Sequence, residues 1–316
     1  MFESILAIIR QYDSIIINGH ANPDGDCYGS QIGLREIIKN NFPQKNVYAV
    51  GVGLPRFFPL LGKMDSVSDD VFKKSLIIIL DGNDLSRMED KRVNTGKAFA
   101  KIDHHVDKHS FKEGQEVIVE SSSSTAEIIV KFVKECHFKM TKKAANALYL
   151  GILTDSGRFQ YSSNYKDMFD DVSWLCDCGA NPKEIYDILN VTDERLFKIR
   201  ELYFKKYQKS QGGTIYTIIK YADIVDSGYS SVEVANMLNI VGNIEGSLVW
   251  TSFVEGSDGK VKVEVRSNGP DVQPLTLKYG GGGHMKAAGM TLPKYDEKVF
   301  LQFVGEIDQA IAKFKR

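Results

Sequence analysis

Short apolar runs alternate with helical patterns through the first half of the chain, the rhythm of an α/β unit built on a mostly parallel sheet flanked by helices. The strand candidates are 14–17, 46–50, 76–80 and 98–102. Leu76-Ile-Ile-Ile-Leu80 is apolar at every position, as expected of a strand covered on both faces. Helical spacing predicts helices at 3–12, 29–40, 125–136, 142–153, 166–178 and 182–190. The third opens on Ser124-Thr-Ala-Glu127, a capping-box pattern. Over 193–209, Leu196, Ile199, Tyr203 and Tyr207 recur at helical spacing among charged residues, which predicts a connecting helix ended by Gly212-Gly213. Beyond it a second α/β unit is expected, with strands at 214–219, 247–254 and 260–266 and helices near 231–239, 284–289 and 296–314. The expected organisation is a first domain over 1–190, a linker helix over 191–212 and a smaller α/β domain over 213–316.

Charge narrows the ligand class. The chain carries 40 Lys+Arg against 41 Asp+Glu, a formal net charge of −1, and residues 211–316 hold 11 and 12. Proteins that track long nucleic acid need a broad positive surface to neutralise many phosphates, so the balance favours a small anionic ligand held by a few placed groups. Four cysteines (Cys27, Cys136, Cys176, Cys178) are too few for a disulfide scaffold at this length, and Cys176-Asp-Cys178 is not a C-x-x-C motif. They are expected to be reduced thiols. Glu3 precedes the first apolar stretch, Arg10 interrupts it, and no apolar run approaches the ~20 residues of a membrane span. The expected setting is the cytoplasm, with no membrane partner.

Three strand candidates end in groups that bind metals. The first leads to His20, Asp24 and Asp26, the second to Asp81, the third to Asp103-His104-His105. In an open α/β sheet, sites form outside the C-terminal ends of the strands, so these tips can converge. A further acid, Asp155, ends the apolar segment 147–153. One strand-terminal Asp is ordinarily a turn or cap residue. Three successive tips bearing acids and imidazoles point instead to cations, because crowded carboxylates repel unless neutralised. The donors are oxygen and nitrogen without thiolate, which suits Mn²⁺, Mg²⁺ or Fe²⁺ better than structural zinc. This many acids suggests two ions, which can share a carboxylate when roughly 3.5–4 Å apart.

These segments resemble the motifs of the DHH phosphoesterase superfamily. His20-Ala-Asn-Pro-Asp24-Gly-Asp26-Cys-Tyr-Gly-Ser30 resembles its first motif and Asp81-Gly-Asn-Asp84 its second. Asp103-His104-His105 is the run that names it, and Gly151-Ile-Leu-Thr-Asp155-Ser-Gly resembles its fourth. Near the C-terminus, Gly280-Gly-Gly-Gly-His284-Met-Lys-Ala-Ala-Gly289 resembles the glycine-rich signature of the DHHA1 domain. Arg266-Ser267 stands where that domain carries its phosphate-binding arginine. The resemblance spans nearly the whole chain.

It implies a hydrolase with two divalent cations, Mn²⁺ first among them with Mg²⁺ or Fe²⁺ as alternatives. One would be held by His20, Asp24 and Asp81, the other by Asp26, Asp81, His105 and Asp155, with Asp81 shared. Asp103 would orient an imidazole or its strand end, and His104 would meet the substrate phosphate or protonate the leaving oxygen. Asn22 and Arg87 are secondary candidates for shaping the site, and His109 and His137 are read as structural or surface residues. Arg266, Ser267, Gly281, Gly282, Gly283 and His284 would bind nucleotide phosphate, with the glycines placed at a helix start so that backbone N–H groups can approach an anion. The implied substrates are short RNA or DNA oligomers of about two to five nucleotides, since a long strand needs an open charged channel. Linear dinucleotides such as pApA and adenosine 3′,5′-bisphosphate belong to the same expectation. A cyclic-dinucleotide phosphodiesterase, a manganese pyrophosphatase and a non-catalytic nucleotide-binding protein are the alternatives, and a homodimer is compatible with each. One departure stands out: Gln160 follows Phe159 where relatives often carry a basic residue.

Overall fold

A computed structural model describes residues 1–82, 85–105 and 114–315, so Asp84 and His109 lie outside the described residues. The chain divides into two compact units, Met1–Val191 and Thr192–Arg316.

The first unit is built on a five-stranded sheet of β1 (Ser14–Asn18), β2 (Asn46–Val50), β3 (Leu76–Leu80), β4 (Ala98–Asp103) and β5 (Gln115–Ile118). Every pairing is parallel and the order is β2-β1-β3-β4-β5. Strands β1, β3 and β4 are therefore neighbours with their C-terminal ends at one edge. β5 was not anticipated; it is a four-residue edge strand with one buried position, too short and too polar to show a strand period. Ile15, Ile17, Ile78, Leu80 and Ile102 pack on one face of the sheet, while Ile16, Ile77, Ile79 and Val93 form a smaller cluster on the other. This two-sided burial is what the unbroken apolar run in β3 requires.

The helices Gly25–Asn41 and Lys142–Asp155 approach each other closely on the first of these faces. A Cβ at Gly29 would lie 2.3 Å from the Ala147 carbonyl oxygen, and one at Gly151 would lie 2.5 Å from Ala126 Cβ and 2.8 Å from Asp26 Oδ1. Only glycine lets these backbones meet. The helix Thr125–Glu135 starts at the expected cap, with Ser124 Oγ accepting from the Glu127 N–H, but the box is not reciprocal: the Glu127 carboxylate accepts from the N–H and hydroxyl of Ser123 instead. It ends near His137, an exposed residue in the left-handed conformation (φ 55°).

The second unit has a six-stranded sheet: β6 (Tyr207–Lys209), β7 (Ile215–Ile219), β8 (Val249–Glu255), β9 (Val261–Ser267), β10 (Gly282–Gly283) and β11 (Ala287–Leu292). The order is β10-β11-β9-β8-β7-β6, antiparallel except for β7 beside β8. Two expectations change here. The segment expected as a helix over 284–289 instead leads through a turn at His284 into β11, whose burial alternates so that Ala288, Met290 and Leu292 face the core. That period of two is a strand signal obscured by the small residues at its start. The connecting helix spans Arg195–Lys206 and gives way to β6, which pairs with β7. Ile199 and Tyr203 of this helix pack with Ile215, Trp250 and Val254, so it belongs to the core of the second unit. On the opposite face, Val249, Phe253, Val263 and Val265 meet Phe300, Phe303 and Ile307 of the helix Glu297–Phe314. Among the described residues no helix is long and apolar enough to cross a membrane, and the four cysteines are unpaired thiols.

Candidate active site

The β1 tip delivers His20 and, through the start of the helix Gly25–Asn41, Asp24 and Asp26. Asp24 is the N-cap of that helix, accepting from the Cys27 N–H at 2.9 Å, and its side chain is 57% exposed at the rim. His20 Nδ1 lies 2.9 Å from the Ala21 carbonyl oxygen; an acceptor there requires Nδ1 to carry a proton, and this contact turns Nε2 inward. That Nε2 lies 3.4 Å from Asp81 Oδ2 and 3.9 Å from Asp24 Oδ1. Asp81 follows β3 in the left-handed conformation (φ 56°), a strained state for a residue with a Cβ and one that clusters at functional sites.

The β4 tip supplies both adjacent histidines. His104 Nε2 lies 3.5 Å from Asp81 Oδ1 and 3.3 Å from Asp155 Oδ2, the latter carried by the last residue of the helix Lys142–Asp155. His105 Nδ1 is 3.5 Å from Asp81 Oδ1 but only 2.8 Å from Asp103 Oδ1. Asp26 is completely buried and accepts from the N–H groups of Thr125 and Ala126 at 2.7 and 2.9 Å and from Ser30 Oγ at 3.1 Å. His20, Asp26, Asp81, His104, His105 and Asp155 are thus brought together, with Asp24 at the edge. Arg87 is exposed, and its contribution to the first motif is through the backbone: its carbonyl accepts from the Ala21 N–H at 2.7 Å.

The electrostatics of this cluster are those of a cation site. Burial, together with the charges of Asp81 and Asp155, pushes the Asp26 carboxyl well above the usual range. Burial likewise raises Asp155 to about 6 despite nearby His104. Burial opposes charge on the His104 ring, yet the Asp81 hydrogen bond and the Asp155 and Asp26 charges outweigh it and push the ring up to about 10. Buried acids that resist ionisation and an imidazole forced to hold a proton describe a site that positive charge would relieve. Donor atoms of Asp81, His104 and His105 lie within 4.8 Å of one another, as do those of Asp26, His104 and Asp155 and those of His20, Cys27 and Asp81. These acidic and histidine groups are positioned for a metal. Cys27 is the exception, because burial pushes its thiol up to about 11, and the sulfur donates to the His20 carbonyl and Gln31 Oε1.

The glycine-rich segment is a hairpin rather than a helix start. β10 pairs with β11, and β11 with β9, so Arg266 lies opposite Ala287 while the His284 N–H donates to the Ala287 carbonyl at 2.8 Å. His284 is exposed. The glycines divide by what surrounds them. A Cβ at Gly281 would fall 2.3 Å from the Gly289 carbonyl oxygen and one at Gly283 2.6 Å from that of Ala287, whereas nothing lies within 4 Å at Gly282. Arg266 Nη1 donates to Glu264 Oε2 at 2.8 Å and to the Val265 carbonyl at 2.9 Å. Ser267 is buried and its hydroxyl donates to the Pro270 carbonyl at 2.6 Å, so it shapes the loop after β9.

The DHH family N-terminal domain matches residues 14–152, and the DHHA1 domain matches 214–313. The bifunctional oligoribonuclease and PAP phosphatase NrnA of Bacillus subtilis is 32% identical, the match covering 94% of this chain and 95% of that protein. The chain belongs to the DHH family. The Mycoplasma pneumoniae protein of the same name is 34% identical over 91% of this chain and 90% of its own. An exopolyphosphatase-related protein from Bacteroides fragilis has the same fold, with a TM-score of 0.87 over 98% of this chain and 96% of that one at 22% identity.

Two contributors in this DHH protein escaped the sequence reading. Thr125 donates its N–H to Asp26 and its hydroxyl, at 3.4 Å, to Asp81 Oδ1, tying two strand tips together. Its only signal was its place in the capping box. Glu264 grips the DHHA1 arginine, and a charged residue two positions before Arg266 on the same strand face was the available cue.

Proposed function

We propose that this chain is a metal-dependent phosphodiesterase that cleaves short oligonucleotides or linear dinucleotides such as pApA to mononucleotides. Phosphatase activity on the 3′-phosphate of adenosine 3′,5′-bisphosphate is its second capacity. The observation that carries the reading is the meeting of His20, Asp81 and His104 from adjacent strand tips with Asp26 and Asp155 from two helix ends, in a chain similar along nearly its whole length to proteins named for these two activities. Two divalent cations, Mn²⁺ in preference to Mg²⁺ or Fe²⁺, suit a donor set of carboxylate oxygens and imidazole nitrogens. When bound, they supply Lewis acidity that makes hydroxide available near neutral pH and offsets charge on phosphoryl oxygens.

The residues divide the work. His20, Asp24 and Asp81 hold one cation, and Asp26, Asp81, His104 and Asp155 the other. Asp81 is suited to sharing because its two oxygens face different imidazoles, His20 at 3.4 Å and His104 at 3.5 Å. This exchanges the roles that the motif resemblance gave to the adjacent histidines. His104 reaches both Asp81 and Asp155, whereas His105 Nδ1 lies against Asp103, at 2.8 Å. His105, oriented by Asp103, meets the phosphoryl or leaving oxygen. Residues 1–190 form the catalytic domain in this reading, and 213–316 the substrate-binding domain. There Arg266 offers its planar donor fork to a phosphate and the open face at Gly282 admits the ligand.

The test is a panel of end-labelled RNAs of graded length, pApA, cyclic di-AMP, adenosine 3′,5′-bisphosphate and pyrophosphate, each with Mn²⁺ and with chelator. Release of mononucleotides from the shortest RNAs and pApA, lost with chelator, is the expected result. Activity confined to pyrophosphate or to the cyclic dinucleotide would overturn it.

A further inference from the structure

A lysine is buried in the strand that carries the paired histidines. Lys101 lies on β4, its side chain only 1% exposed, and its Nζ is 3.4 Å from Oδ2 of Asp103, whose side chain is 0% exposed. The other oxygen of Asp103 accepts twice from His105, from Nδ1 at 2.8 Å and from the backbone N–H at 3.2 Å. The His105 ring is 31% exposed. The three groups form a line from the core to the open side of the site, and only the last reaches solvent.

Burying an ammonium and a carboxylate costs more than their attraction returns unless the arrangement does something else, and an apolar pair of similar volume would pack as well. Among the described residues Asp103 Oδ2 has no hydrogen-bond partner, and Lys101 compensates it by charge. We propose that Lys101 is a positioning residue for the phosphoryl-transfer site. By holding Oδ2 it commits Oδ1 to His105, which keeps the proton on Nδ1 and presents Nε2 to the reacting phosphate. The chemistry behind this is simple: a carboxylate only accepts, so the ring nitrogen facing Asp103 must donate. The ring's other nitrogen then has a defined role, as for histidines oriented by carboxylates elsewhere. The catalytic consequence rests on the role proposed above for His105, while the effect on the ring itself does not.

The experiment separates the two. Full-length protein with isotope-labelled histidine is studied with saturating diamagnetic Mg²⁺, and its His105 ring is assigned by long-range proton–nitrogen correlation, using His105→Gln as the assignment control. At a pH where the ring carries a single proton, the wild type should show that proton on Nδ1. Lys101→Met, which keeps length and removes charge, should yield a mixture of tautomers and lower kcat on pApA by about 10–100-fold, the scale of losing a group that orients a site residue. KM should stay within a factor of about two, and Lys101→Arg should restore both the tautomer and most of kcat. An Nε2-protonated ring in the wild type overturns the proposal without any variant, which covers the case in which Lys101→Met fails to fold. A wild-type tautomer in folded Lys101→Met also overturns it, whatever happens to kcat. If the wild type cleaves neither pApA nor adenosine 3′,5′-bisphosphate, the functional reading fails, and the spectra still decide the role of Lys101.

Discussion

The two sites of this chain are built on opposite principles. At the strand tips of the first unit, charge is gathered where it is least comfortable: Asp26 and Asp81 are buried together and Asp81 sits on strained backbone. Its residues arrive from four separate segments of chain. The glycine-rich site of the second unit draws on three adjacent strands, β9, β10 and β11, and is defined mainly by missing side-chain volume. Its arginine, Arg266, is already paired with Glu264 in a setting where each side chain is 25% exposed. The difference teaches where each kind of work is stored. Preorganised charge in a dry site can act on a transition state, whereas shape and a half-exposed arginine suit holding and selecting a ligand.

Substitutions should expose that contrast, and the largest effect belongs to the charged site. Asp81→Ala should lower kcat on the order of a thousandfold or more on every phosphate ester, the scale of removing a central electrostatic group. Excess Mn²⁺ should not rescue it, because two imidazoles lose their common partner. Measured turnover within tenfold of wild type would break the comparison. Arg266→Ala should be smaller and selective. Its loss removes charge-assisted hydrogen bonds worth about 1.5–3 kcal/mol, so KM for pApA should rise by about 10–100-fold. Hydrolysis of a simple aryl phosphodiester should change little, and equal losses on both substrates would mean that Arg266 does not read the nucleotide.

The glycines give the finest test. Gly281→Ala should destabilise the protein by about 1–3 kcal/mol, because its Cβ would press on the carbonyl of Gly289 across the hairpin. Gly282→Ala should leave thermal unfolding within about 0.5 kcal/mol of wild type, since no atom lies nearby, and should raise KM several-fold if the ligand occupies that space. A Gly282→Ala protein with unchanged KM and a lowered melting temperature would make the site a matter of folding rather than of shape.

Much of the first unit was legible in the chain because its signals are local. The period and apolarity of residues 76–80 name a doubly covered strand, and Ser124 with Glu127 names a helix start. The ordered motifs carry the DHH character of the strand tips, and the strand termini at which they sit follow from a parallel sheet. Beyond the reach of sequence were distinctions that depend on side-chain direction. Which of two adjacent histidines faces Asp155 is decided by how β4 ends, and no residue pattern encodes it. The helix expected over 284–289 fails for a related reason. Ala287-Ala-Gly289 carries little local preference, and pairing with β9 supplies the hydrogen bonds that select the strand. Composition and period determine which elements form and which chemistry they carry. Which carboxylates share an imidazole, which glycine is open and which buried lysine faces Asp103 belong to packing, because those relations exist only between segments that the chain itself keeps apart.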